Sequence, residues 1–92
     1  MTKIQIFING DDIIGFSAEG HTGFAERGED IVCAAISVLT QTAVIGLKQE
    51  IGLDVKVQMK DGLLSCMLQE SIRDEFWQQG QVVLRVMYAG LR

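Results

Sequence analysis

The chain holds a single histidine, His21, and two cysteines, Cys33 and Cys66. His21 sits in a stretch punctuated by Gly20, Gly23 and Gly28, and Cys33 stands at the opening of an uncharged, mostly apolar run from Ile31 to Leu47. Thiol and imidazole together have a definite chemical use. A free thiol with a pKa near 8.5 is only ~3% ionised at pH 7, and the thiolate is the nucleophilic form. Asp30 is a good N-cap residue. A helix capped by it carries Cys33 in its first turn, where backbone N–H groups are unpaired and the dipole is positive. The dipole contributes up to ~2 kcal/mol in partly buried geometry, about 1.5 pKa units, which brings the thiolate fraction to around half. An imidazolium folded back over the helix start raises it further and supplies a proton to a leaving amine.

Plainer readings of the same residues stay open. Free cysteines are often buried and inert, and His21 also fits an exposed loop. Asp30 is first a cap and only then an orienter of His21. Ser37, one turn below Cys33, bonds either the helix backbone or the reacting groups. Cys66 alternates with Leu64 and Leu68 and reads as core; Phe76 and Trp77 read as packing. One histidine and two distant cysteines lack the usual metal-ligand spacing, so neither a metal nor another cofactor is expected.

Which elements must position this pair? Ile4, Ile6 and Ile8 alternate with Lys3 and Gln5, the pattern of a half-buried strand. Asn9-Gly10-Asp11-Asp12 is a tight-turn signal, and Ile13 to Ala18 returns as a second strand. Gly20 to Glu29 reads as a glycine-rich loop. From Asp30 to about Ile51 the pattern is helical, and Gly52 suits the position just past a helix end. Val55, Val57 and Met59 alternate in a third strand. Asp61-Gly62 turns the chain into a fourth, Leu63 to Leu68, and Ser71 to about Tyr88 reads as a second helix. The expectation is an α+β fold of order ββαββα, an antiparallel sheet of about four strands with both helices on one side. The first helix is apolar around most of its circumference, which calls for burial on more than one side and suggests a homodimer. Its polar stripe runs through Cys33, Ser37, Thr40, Gln41 and Lys48.

Composition narrows the function classes. Ninety-two residues make one domain, 1–92, with a modest core. The net charge is −4 with no Lys/Arg cluster, which argues against direct nucleic-acid binding. Met1 to Gly10 reads as a strand, not a signal peptide. Ile31 to Leu47 is at the lower edge of a spanning length, but Ser37, Thr40, Gln41 and Thr42 make it poor company for lipid. Few cysteines favour a reduced, cytoplasmic protein.

The stretch GHTGFAERGEDIVCAAISVLTQTAVIGL, residues 20–47, resembles the signature of the ribosomal-processing cysteine protease family, Prp. That family shows a Gly-His-Ala/Ser-Gly-Tyr/Phe loop followed by Gly-x-Asp-Ile-Val-Cys-Ala-Ala-x-Ser. Gly20, His21, Gly23, Phe24, Gly28, Asp30, Ile31, Val32, Cys33, Ala34, Ala35 and Ser37 match it. The resemblance is closest over residues 1–70. Beyond them the ending looks like the family's final helix, after which relatives typically run on for several more residues. It implies an endopeptidase that removes the N-terminal extension of a bacterial large-subunit ribosomal protein. Cys33 would be the nucleophile, His21 the base and acid, and Asp30 and Ser37 supporting residues, in a homodimer. Gly20, Gly23 and Gly28 would let the His21 loop close over bound peptide. The rival expectation is a non-catalytic dimeric module for ribosome assembly.

Overall fold

The computed structural model describes residues 2–20, 27–60 and 62–91, and for residues 2 and 27–33 the backbone alone. Strands β1 (Thr2–Asn9) and β2 (Asp12–Gly20) form a hairpin over Gly10 and Asp11. Helix α1 spans Arg27–Ile45 and runs on into a π-helical segment, Gly46–Ile51. Strands β3 (Val55–Lys60) and β4 (Leu63–Leu68) pair antiparallel, and α2 (Asp74–Leu91) follows. The expected ββαββα order holds, with one antiparallel sheet of strand order β1-β2-β4-β3. The sheet edges are therefore β1 and β3.

Register decides which side chains meet the helices. Ile4, Ala18, Leu64 and Met59 form one row across the sheet; Ile6, Phe16, Cys66 and Val57 form the next. β2 carries one extra residue, Ile14, between the pairs Phe7–Gly15 and Ile8–Ile13. This bulge lets Ile13 and Phe16 share a face despite their odd spacing. Phe16, Leu64 and Cys66 are buried in one core with Ala43 of α1, Leu47 of the π-helical segment, and Leu84 and Met87 of α2. Both helices thus cover the same side, as the alternation predicts. The opposite side carries the polar row Gln5, Ser17, Ser65 and Gln58.

α2 is fastened to the first hairpin by polar contacts. Buried Gln81 accepts from the Ile13 N–H at 2.7 Å and donates through Nε2 to the Ile13 carbonyl at 2.7 Å. Its carboxamide stands in for a strand neighbour where β4 no longer reaches. Trp77 Nε1 donates to Asp12 at 2.9 Å, and Arg85 donates to the Asp11 carbonyl at 3.0 Å.

Three expectations about element ends are corrected. α1 starts at Arg27, not after an Asp30 cap, so Gly28 and Glu29 belong to the helix and not to the loop. Glu29 and Asp30 are acids in its first turn, favourable at the positive end of the dipole, so Asp30 serves from inside the helix. Gly20 closes β2, and its N–H donates to the Gly62 carbonyl at 2.8 Å. α2 begins at Asp74, not Ser71; the Trp77 N–H donates to the Arg73 carbonyl at 2.8 Å as the first helical bond. Gly52 behaves as expected, with φ 81° and ψ 31° at the end of the π-helical segment. Among the described residues no helix is long and apolar enough to cross a membrane.

Candidate active site

A cleft of about 180 Å³ lies between α1 and one end of the sheet. Its floor is Ala18, Leu64 and Met59, neighbours in one cross-strand row, and its roof is Ile36 and Thr40. Glu19, Ser37, Gln41 and Lys60 also line it. Thr40 is 1% exposed, and its hydroxyl donates to the Ile36 carbonyl at 2.9 Å, with the Ser37 carbonyl 3.2 Å away. Gln41 Nε2 donates to Ser37 Oγ at 2.8 Å, which leaves the Ser37 hydroxyl proton free for another acceptor.

This cleft is where the two halves of the expected site approach. Gly20 lines it, and the next residue is His21. Ile36 and Ser37 also line it, and Cys33 precedes them on the same helix by one turn. The helical period places positions 33, 37 and 40 on one stripe. Asp30 and Cys33 lie on α1, with their side chains outside the described residues; His21 and Gly23 lie outside them altogether. Of the expected site residues with described side chains or strand positions, Ser37 and Gly20 meet at the cleft. Gly28 lies within α1.

The longer helix changes the electrostatic argument. The unpaired N–H groups belong to the first four helical residues, here 27–30, and the dipole's influence falls off within the first turn. Cys33 is in the second turn. Its N–H is inside the helical hydrogen-bond ladder, so it is not among the unpaired N–H groups of the helix start.

Cys66 behaves as core. It is a free cysteine, 1% exposed, and burial pushes its thiol up to about 11, with the Lys48 ammonium pulling the other way. The cleft floor went unrecognised in the sequence. The available signal was Ala18, the smallest side chain in the inward row beside Ile4, Leu64 and Met59. Thr40 was counted in a polar stripe, but it is buried because its hydroxyl is satisfied by its own helix. A groove with an apolar floor that opens at an exposed strand edge can hold an extended peptide.

Comparison with known proteins agrees with this chemistry. The family model described as cysteine protease Prp matches residues 1–92. No match is found among curated proteins. A Streptococcus mutans protein of solved structure is 26% identical, with a TM-score of 0.81 over 98% of this chain and 79% of that one. The essential ribosomal processing protease Prp of S. aureus, solved with a substrate peptide, is 21% identical, with a TM-score of 0.84 over 99% of this chain and 85% of that one. The same protease with a covalently linked product peptide is 23% identical, with a TM-score of 0.78 over 99% and 85%. With the family match running the length of the chain, over a cleft bounded by Gly20 and by the helical turn that follows Cys33, this protein belongs to the Prp family of cysteine proteases.

Proposed function

We propose that this cysteine protease removes the N-terminal extension of a bacterial large-subunit ribosomal protein, as a single catalytic domain over 1–92 working in the cytoplasm. The observation that carries the reading is the cleft, reached both by the strand end leading into His21 and by the helical turn following Cys33. The S. aureus relative, a ribosomal processing protease, was solved with a substrate peptide. Cys33 as thiolate attacks the scissile carbonyl, and the imidazolium of His21 gives its proton to the leaving amine. His21 then takes a proton from water, and the resulting hydroxide releases the acyl group from sulfur. Asp30 orients His21. Ser37, its Oγ already accepting from Gln41, directs its own proton toward the turn that carries Cys33.

The working unit is a homodimer. Val38 and Ile45 on α1 are 65% and 49% exposed, and Val82 and Val86 on α2 are 62% and 66% exposed. An added Cβ at Gly90 would touch Leu39, and one at Gly46 would touch Val83, so the helices run antiparallel side by side and these four residues share one outer apolar face. A second copy covers such a face isologously. A surface without a basic cluster gives no electrostatic footprint for direct nucleic-acid contact.

The test is incubation of wild type and Cys33→Ala with a peptide spanning the ribosomal protein's extension, read by mass spectrometry. One cut, seen with the wild type alone, is the expected result. Cleavage that survives in Cys33→Ala overturns the residue roles.

A further inference from the structure

We infer that Gln41 is a positioning residue: it holds the Ser37 oxygen as an acceptor, so that the Ser37 proton is kept for the sulfur of Cys33. The inference rests on the peptidase reading above and adds to it the residue one turn beyond Ser37.

The spacing comes first. Cys33, Ser37 and Gln41 follow one another by four along α1, which sets them in line on one face, about 6 Å of rise apart. Side chains on a helix lean toward its N-terminus and cover the preceding turn. A glutamine at 41 therefore reaches back over Ser37, and a serine at 37 reaches back over the turn that carries Cys33. The first of these steps is made, with Gln41 Nε2 donating to Ser37 Oγ at 2.8 Å. Both residues line the cleft.

That bond decides where the Ser37 proton goes. A hydroxyl has one proton and two lone pairs, whereas a carboxamide NH₂ only donates. With Gln41 filling a lone pair from the C-terminal side, the proton turns to the N-terminal side, where Cys33 stands. A serine without such a donor gives its proton to water or to the helix carbonyl four residues back. Thr40, beside Gln41, takes that second course: its hydroxyl donates to the Ile36 carbonyl at 2.9 Å and is lost to the cleft. A hydrogen bond to the thiolate favours it over the thiol. The Gln41–Ser37 bond is exposed and contributes little to stability. Its use is orientation.

The test is a double-mutant cycle of wild type, Ser37→Ala, Gln41→Met and the double variant. Methionine keeps the length and helix propensity of glutamine but cannot donate. The pH midpoint of Cys33 alkylation by iodoacetamide is read by peptide-mapping mass spectrometry. On the peptide spanning the ribosomal protein's extension, kcat and KM are read separately. Glu19 and Lys60 line the same cleft, and with Asp30 and His21 they are unchanged across the cycle, so their charges cancel. Ser37→Ala should raise the midpoint by about one pH unit and lower kcat about tenfold. Gln41→Met should give about half a unit and about threefold, with KM and Tm unchanged. On the Ser37→Ala background it should change nothing further. Gln41→Glu, whose carboxylate accepts the Ser37 proton, should fall to the Ser37→Ala level. A Gln41→Met midpoint equal to that of wild type overturns the inference. So does a Gln41→Met effect that persists in full without the Ser37 hydroxyl, or a Gln41→Glu variant that matches wild type. Midpoints that follow this pattern while wild type cuts no peptide uphold the role of Gln41 and overturn the peptidase reading instead.

Discussion

The two thiols answer to different surroundings. Cys66 is packed against Phe16 and Val57 in the sheet register, and its thiol titrates at about 11. With iodoacetamide at pH 7.5, intact-mass spectrometry should show one adduct, on Cys33, and a second only after unfolding. Since α1 begins at Arg27, Cys33 lies past the first helical turn, and the proposed mechanism assigns its activation to His21. His21→Ala should move the pH midpoint of Cys33 alkylation up toward the free-cysteine value of about 8.5. A midpoint unchanged by that substitution would show that the helix dominates after all. Cys66 also makes stability pH-dependent. Below its ordinary value of 9.0 the thiol is protonated in both folded and unfolded chains, and its burial counts in full. Between 9.0 and about 11 the unfolded chain loses the proton that the fold retains, so stability falls as pH rises, by about 2 kcal/mol. Urea unfolding at pH 8 and 10.5 should show that extra loss in wild type and not in Cys66→Ala.

Among the elements, the β2 bulge and α2 depend on one another. Gln81 closes both backbone valences of Ile13, so Gln81→Ala leaves a buried N–H and a buried carbonyl unpaired. It should cost about 2–3 kcal/mol, a fall in Tm of about 10–20 °C by calorimetry. Gly15 is tight for another reason. A Cβ there would lie 2.6 Å from the Cys66 carbonyl oxygen and against the Met67 side chain. The methionine can swing away and the backbone cannot, so Gly15→Ala should destabilise by about 1–3 kcal/mol. Neither site touches the cleft. Both variants, assayed below their Tm, should keep a kcat/KM near that of wild type.

For the whole molecule, the proposed homodimer rests on the exposed valines of the helix layer. In an isologous interface each substitution acts twice. Val86→Lys removes about 1.5 kcal/mol or more of burial from each copy, so the dimer dissociation constant should rise at least a hundredfold by sedimentation equilibrium. A wild type that sediments as one chain at high concentration would refute the interface.

Much of this architecture is visible in residue order. Alternation in Ile4–Ile8 and Val55–Met59 marks half-buried strands, Gly10 and Gly62 mark the hairpins, and the motif around His21 and Cys33 marks the family, because these signals are local. Helix ends were less legible: the acids Glu29 and Asp30 suit either a cap or a first turn, and only the folded backbone chose between them. The cleft was not legible at all. Ala18, Thr40 and Met59 are far apart in the chain, and the space they share is created by a four-strand register, a bulge at Ile14 and the seat of α1 on the sheet. The sequence alone determined the element types, since each depends on near neighbours. Tertiary structure alone decided what lies beside them, since an empty volume is a property of the side chains that surround it and belongs to no single segment.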